Sequence, residues 1–193
     1  MLHLASKTEE AWLGRALGAM PDILLDHAHC EKKAASTVLS LIFKYPEHAS
    51  IVEPLSRFAR EELAHFEEVL RCLEVRGLRF RRQKPSPYAG KLMALVRAKE
   101  PEKMLDTFLA CAFIEARSCE RMKLLAGALE DRELATLYEG LLVAEARHHR
   151  LFVDLIEGTG IFSREIISSR LEEFAAHEAS VIADAPTEPR LHN

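Results

Sequence analysis

Apolar residues recur along almost the whole chain at spacings of three and four positions, which is the pattern of one face of an α-helix. No stretch shows the sustained apolar–polar alternation of a half-buried strand. Proline and glycine residues interrupt the helical pattern at a few positions and divide it into segments. We predict four long core helices, at about 21–45, 54–76, 101–129 and 131–157, and a further helix at about 163–183.

Local signals place the ends of these segments. Pro54 suits the first turn of the second core helix, where a missing N–H costs no hydrogen bond. Asp131 and Ser163 are the expected N-caps of the last two helices. A short helix at about 8–18 is expected to precede the bundle, and the tail at 185–193, which carries two prolines, is expected to fray.

A long connection, at about 78–100, separates the second core helix from the third. Such a connection can carry the chain along the whole bundle, and a long crossover is typical of ferritin-like bundles. Part of it, at 88–99, is itself predicted to be helical. The predicted fold class is therefore all-α, a ferritin-like four-helix bundle with a long crossover between the second and third core helices. Extra helices lie at both termini, and one domain spans 1–193.

Composition narrows the class of protein. The 193-residue chain is 48% hydrophobic and 29% charged, as expected for a globular protein with a substantial core. Its formal net charge of −4 argues against a general polyanion binder. The four cysteines form no C-x-x-C pair, which favours reduced thiols. Residues 1–10 lack a signal-peptide pattern, and no apolar run approaches the roughly 18 residues of a membrane span, so we expect a cytoplasmic protein without membrane association.

One pattern of candidate ligands occurs twice along the predicted helices. A lone Glu on one helix is followed about thirty residues later by Glu-x-x-His on the next. The Glu and His of each motif are three positions apart, so both can reach one centre from one helix face. The two copies consist of Glu31 with Glu62 and His65, and Glu115 with Glu145 and His148.

All four glutamates of this pattern lie on apolar stripes, among residues expected to be buried. Buried carboxylates that face one another are strongly unfavourable unless cations compensate them. Two divalent ions would balance four negative charges. The pattern therefore predicts a two-metal site in the bundle core, and oxygen-rich ligation with one imidazole per metal favours Fe(II) or Mn(II), with iron preferred.

Three further residues lie near the predicted ligands. Tyr138 is on the face of Glu145 and is expected either to hydrogen-bond to a ligand or to pack in the core, with core packing favoured. Cys119 follows Glu115 by one helical turn and carries the same two interpretations. His149 points about 100° away from its neighbour on the helix, so we place it outside the ligand set.

The crossover region is rich in basic residues. Five of them fall within nine positions that contain no acid: Arg76, Arg79, Arg81, Arg82 and Lys84. Phe80 and Tyr88 are interleaved with this cluster or follow it. Two interpretations are open: a phosphate-binding surface with an aromatic ring for stacking on an unpaired base, or a solvated loop with ordinary surface charge.

Four segments of the chain resemble the bacterial tRNA 2-methylthio-N6-isopentenyladenosine hydroxylases. They are HAHCEKKAA at 27–35, REELAHF at 60–66, FIEARSCER at 113–121 and EARHH at 145–149. The resemblance covers most of the chain, including the Arg-rich crossover. It implies a ferritin-like, non-haem diiron monooxygenase that uses O2 and reducing equivalents from an unidentified electron donor. It also implies that the six residues above bind two iron ions. The implied reaction is hydroxylation of the isopentenyl group of 2-methylthio-N6-isopentenyladenosine, and the implied partner is the anticodon loop of tRNA.

Other functions remain open from the residues themselves. An iron-handling protein of the ferritin or rubrerythrin kind would use the same ligands, although a rubredoxin-type domain would need paired C-x-x-C motifs. A diiron hydroxylase of another small apolar substrate, such as a quinone, would favour an exposed apolar helix face, for which 161–183 is the candidate. A metal-free helical adaptor is the non-enzymatic alternative.

Overall fold

The computed structural model describes residues 2–193, and in that range all regular secondary structure is helical. This confirms the all-α prediction. Four of the helices have 25 or 27 residues and form the core. The helices are α1 (Glu10–Leu17), α2 (Met20–Lys44), α3 (Ala49–Val75), α4 (Tyr88–Met93), α5 (Glu102–Ala128), α6 (Arg132–Gly158) and α7 (Arg164–Ala183).

The core consists of two helical hairpins. Helix α2 packs along α3, α5 packs along α6, and α3 contacts α6. Short connections join the partners of each hairpin, whereas the long crossover joins the two hairpins and contains α4. Helix α7 packs against α5 and α4, and α1 contacts α2 and α5. The crossover therefore lies against the outside of the bundle, on the side of α2 and α5.

The two predicted N-caps are present. The Asp131 side chain accepts hydrogen bonds from the backbone N–H groups of Glu133 and Leu134, at 3.0 and 3.1 Å. The Ser163 hydroxyl accepts one from the N–H of Ile166. Both caps satisfy donors that a helix start leaves without intrahelical partners, which is why short polar side chains mark these positions so clearly.

The start of α3 differs from the prediction. The helix begins at Ala49, and Pro54 lies inside it instead of in its first turn. A proline at that position removes one backbone hydrogen bond. Ile51, which is completely buried in the core, lies in the extra turn, and its burial favours that turn despite the lost bond.

The prediction that the tail frays is wrong for its last residues. Leu191, His192 and Asn193 are buried. The Leu191 N–H donates to Asp26 at 2.8 Å, and the Leu191 carbonyl accepts from Arg121 at 2.6 Å. The indole N–H of Trp12 donates to the neighbouring Arg190 carbonyl. These partners are far away in sequence, so no local sequence pattern predicts the contacts.

The apolar core has two parts, one towards each end of the bundle. One contains Phe58, Phe108 and Phe152, and the other contains Leu24, Tyr138 and Leu141. Along each core helix, the predicted ligands lie between residues of the first part and residues of the second. The polar cluster is therefore enclosed by apolar packing along the bundle axis. Among residues 2–193, no helix combines the length and apolar character needed to cross a bilayer.

Candidate metal centre

The six predicted ligands converge in the middle of the bundle. All are buried except His65, which is partly exposed. Their ligand atoms form two groups of four, and within each group the atoms lie within 4.8 Å of one another. One group contains Glu31, Glu62, His65 and Glu145, and the other contains Glu62, Glu115, Glu145 and His148. Glu62 and Glu145 belong to both, so the arrangement can accommodate two cations with these carboxylates between them.

Four atoms of this cluster are buried without a hydrogen-bond partner among the described residues. They are Oε1 of Glu62, Oε1 of Glu145, and Nδ1 of His65 and His148. His148 Nδ1 and Glu62 Oε1 are 2.7 Å apart, but the contact lacks hydrogen-bond geometry. Buried polar atoms without partners are rare and costly. Because all four belong to the candidate ligand groups, metal ions would supply the missing partners, and the residues fit a diiron-type site.

Burial and mutual repulsion shift the acidity of these carboxyl groups. Burial, followed by the charges of Glu31 and Glu115, raises the pKa of Glu62. Burial and the neighbouring carboxylates raise the pKa of Glu145 well above its usual range. Burial raises the pKa of Glu115 to about 7. Burial also acts to raise the pKa of Glu31, but the adjacent His27 outweighs it, so that pKa is lowered overall. Without cations the cluster therefore retains protons that bound metal ions would displace.

Two residues outside the predicted set hold candidate ligands in position. The Nε2–H group of His27 donates to Glu31 at 2.6 Å, and the Nε2–H group of His148 donates to Glu61 at 2.9 Å. The second contact leaves Nδ1 of His148 as the atom that faces the ligand cluster. Burial lowers the pKa of His148, which favours the neutral, metal-binding form. His27 precedes Glu31 by one helical turn, so their contact could be predicted from the sequence spacing. The contact of Glu61 with another helix has no such local signal.

The other candidates near the site make contacts of a different kind. The Tyr138 ring stacks on His27, with ring centroids 5.5 Å apart, and its hydroxyl has no hydrogen-bond partner within residues 2–193. The Cys119 thiol faces the carbonyl of Leu142 on α6, and all four cysteines are free thiols. The His149 ring donates from Nδ1 to the Ala112 carbonyl at 2.8 Å, pointing away from the ligands.

An apolar cavity of 270 Å³ leads to this cluster. At its outer end it is lined by exposed residues of α2 and of the crossover, including Lys33 and Ala89. At its inner end it is lined by the buried rings of Phe58 and Phe152 and by Glu115. The cavity is slightly smaller than the roughly 300 Å³ at which pockets for drug-sized ligands begin. It therefore suits a small apolar group that approaches the candidate metal site.

Comparison with known proteins identifies the family. A sequence model of the family described as tRNA-(MS2IO6A)-hydroxylase (MiaE) matches residues 1–193. The chain belongs to the MiaE family. Membership confirms the predicted enzyme class: the chain is a tRNA hydroxylase, an oxidoreductase. The alternatives of an iron-handling protein, a quinone hydroxylase and a helical adaptor are set aside.

Two MiaE relatives carry the name tRNA 2-(methylsulfanyl)-N(6)-isopentenyladenosine(37) hydroxylase. The protein from Pseudomonas putida is 44% identical over 98% of this chain and 91% of its own length. The protein from Salmonella typhimurium is 30% identical over 96% of this chain and 86% of its own length. The relatives therefore match along nearly all of the chain.

A solved structure extends the comparison to the fold. Protein 43 of Synechococcus, described as having aldehyde deformylating oxygenase activity, superposes with a TM-score of 0.94 and 40% sequence identity. The match covers 98% of this chain and 95% of that one. It confirms the predicted ferritin-like fold class of this MiaE chain. A fold of this type with a buried Glu/His cluster is compatible with iron binding.

Members of the basic cluster in the crossover of this MiaE chain differ in whether they form ion pairs. Arg76 forms ion pairs with Asp131 and Glu133, at 2.9 and 3.5 Å, and so ties the end of α3 to the start of α6. Arg81 remains exposed, 3.7 Å from Asp22. The other three members, Arg79, Arg82 and Lys84, are exposed and form no ion pairs among the described residues.

Proposed function

We propose that this chain hydroxylates the isopentenyl group of 2-methylthio-N6-isopentenyladenosine in tRNA, at a centre of two iron ions that uses O2. The observation that carries the proposal is the apolar cavity that ends at Glu115, a candidate ligand. Iron bound there would activate O2 for insertion of one oxygen atom into an unactivated C–H bond. The Synechococcus protein, described as an oxygenase, supports oxygen chemistry on this fold.

The six ligands would share two ions. Glu31 and His65 are assigned to one ion, and Glu115 and His148 to the other, because each pair occurs in only one of the two ligand groups. Glu62 and Glu145 are assigned between the ions because they occur in both. Four carboxylates then neutralise the four positive charges of two Fe(II) ions, which explains why four buried glutamates are tolerated.

The remaining residues near the centre prepare the site for chemistry. Glu61 and His27 hold one imidazole and one carboxylate in fixed orientations. Phe58 and Phe152 line the inner cavity and exclude water from the place where the C–H bond would lie. Two electrons are needed to reduce the second oxygen atom of O2 to water, and we infer that a separate donor protein supplies them.

The substrate nucleotide must leave its stack to reach the cavity. Bases in single-stranded loops can be splayed out for recognition, so we infer that the anticodon loop is the part of tRNA that binds. We assign its phosphates to the exposed basic residues of the crossover, Arg79, Arg81, Arg82 and Lys84. Arg76, which the sequence placed in this set, is engaged in ion pairs instead.

Two further inferences concern the compartment and the domain organisation of the protein. Because tRNA is the substrate, we infer that the protein works in the cytoplasm. We also propose that residues 1–193 form one ferritin-like domain, since a single apolar cluster joins residues of α2, α3, α4, α5, α6 and α7.

Analysis of tRNA nucleosides tests the proposal. The protein is loaded with Fe(II) and incubated with O2, a chemical reductant and tRNA that carries the isopentenyl modification. We expect the hydroxylated nucleoside to accumulate, and we expect none when the protein is metal-free or O2 is excluded. If protein that holds two iron ions per chain leaves the isopentenyl nucleoside without a hydroxyl group, that result would contradict the proposed function.

A further inference from the structure

A second cavity opens beside the apolar one, at the junction of α2 and the crossover. Its volume is 280 Å³, and four exposed basic residues contribute to its wall: Lys32, Lys33, Arg82 and Lys84. Asp26 and Lys33 line both cavities, so the two adjoin each other. We call this second cavity the basic pocket.

Contacts between α2 and the crossover build the basic pocket from segments far apart in sequence. The Nε2–H group of His29 donates to the Arg81 carbonyl at 2.9 Å, and its Nδ1 then accepts from Lys32 at 3.2 Å. The Phe80 ring lies 4.6 Å from the His29 ring and 5.4 Å from the Phe66 ring. These contacts hold the crossover on α2 and thereby place its basic residues opposite the two lysines.

The charges of the basic pocket are not compensated by neighbouring acids. None of its four cations forms an ion pair within residues 2–193. Among residues 2–193, Asp26 is the one acidic residue in its wall, but it is 2% exposed, accepts the N–H of Leu191 and lies 3.7 Å from Arg190. The pocket therefore presents concentrated positive charge in a concave surface, which is suited to an anion.

We propose that the basic pocket binds one backbone phosphate of the substrate RNA next to the modified nucleotide. This inference rests on the proposed function. A nucleotide joins its base to its phosphate through one sugar, so the isopentenyl group and a neighbouring phosphate must occupy sites close together. The two adjoining cavities, one apolar and one cationic, offer that pair of sites. The phosphate contact fixes how deeply the isopentenyl group enters the apolar cavity.

A pair of lysine variants tests the pocket through RNA binding. The double variant Lys32→Ala/Lys33→Ala is compared with Lys99→Ala/Lys123→Ala, which removes two exposed lysines outside the pocket. Binding of a modified anticodon stem-loop to the iron-loaded protein is measured without O2 at several salt concentrations. We expect the pocket variant to bind about tenfold more weakly, with a log–log salt slope reduced by about one, and the control to change less than about twofold. Equal losses in both variants would overturn the proposal.

Neutral linkages in the RNA test whether the contact is to one phosphate. A methylphosphonate replaces each phosphodiester near the modified nucleotide in turn. We expect one position to weaken wild-type binding about as strongly as the lysine substitutions do, and the same position to have little further effect on the pocket variant. If every methylphosphonate weakened binding equally in the wild type and the pocket variant, the pocket would not be the phosphate site. These measurements need no turnover, so they test the pocket independently of the reaction. A failed nucleoside assay would instead contradict the proposed hydroxylation.

Discussion

In the centre of the bundle, four buried glutamates and two largely buried histidines face one another, whereas at the junction of α2 and the crossover four cations face solvent. The inner groups are coupled, because each carboxylate alters the acidity of its neighbours and the proposed ions would be shared. The outer groups are exposed and form no ion pairs among the described residues. Removal of one inner group should therefore disable the whole site, while removal of one outer group should weaken binding in small steps.

The largest expected effect comes from the inner cluster. Glu115→Ala removes a ligand of one ion and leaves the other carboxylates without full compensation, so we expect two-metal loading to be lost and hydroxylation to fall by about 100-fold or more. Iron content per chain and nucleoside analysis measure the two effects. Glu139→Ala, on the exposed face of α6, is the matched control and should retain both ions. Two iron ions per chain in Glu115→Ala would refute the ligand assignment.

Blocking the apolar cavity should separate substrate access from metal binding. Ala34 lines the cavity on α2, so Ala34→Phe would fill part of the space proposed for the isopentenyl group. We expect kcat/KM for modified tRNA to fall by about tenfold, with iron content unchanged. Leu39→Phe places the same ring on the exposed face of α2 and should have no effect. Loss of iron from Ala34→Phe, or full activity, would show that the cavity and the metal site are not related as proposed.

The stability of the metal-free protein should depend on pH with a sign set by the inner cluster. The pKa of Glu115 rises from 4.5 to about 7 on folding, so its contribution to stability is fully present below about pH 4.5 and is lost as pH rises through about 7. The raised pKa values of Glu62 and Glu145 act in the same direction, whereas the lowered pKa values of the buried His148 and His192 oppose them below about pH 6.5. We expect Tm to fall by about 5–10 °C between about pH 5 and pH 8, and added Fe(II) or Mn(II) to restore it.

A neutral substitution serves as the control for this pH dependence. The amide of Glu115→Gln imitates the protonated carboxyl group, so its metal-free Tm should fall less steeply with pH than that of the wild type. A wild-type Tm that stays constant or rises over this range in the absence of metal would contradict the assignment of protons to the cluster.

The same contrast explains what the sequence could predict. Each half of the inner cluster consists of a lone Glu and a Glu-x-x-His motif on apolar helix faces, so a local pattern was enough to predict that the six candidate ligands meet. The caps at Asp131 and Ser163 could be predicted from the residues next to them. The early start of α3, the buried tail and the contact of Glu61 depend on partners from other helices. The basic pocket also depends on contacts between distant segments. Lys32 and Lys33 lie near Arg82 and Lys84 only after the crossover folds back on α2.

The smallest expected effects distinguish members of the basic cluster from one another. Arg76 ties α3 to α6 through Asp131, so Arg76→Ala should lower Tm by a few °C, as expected for a partly exposed ion pair, and should change RNA affinity by less than about twofold. Arg82 lines the basic pocket and has no ion-pair partner in the described part of the chain, so Arg82→Ala should leave Tm almost unchanged and weaken RNA binding by about threefold. Thermal unfolding and RNA binding at one salt concentration measure both quantities. Equal losses of RNA affinity in the two variants would mean that the cluster acts only through its total charge, and the distinction between a structural arginine and a binding arginine would fail.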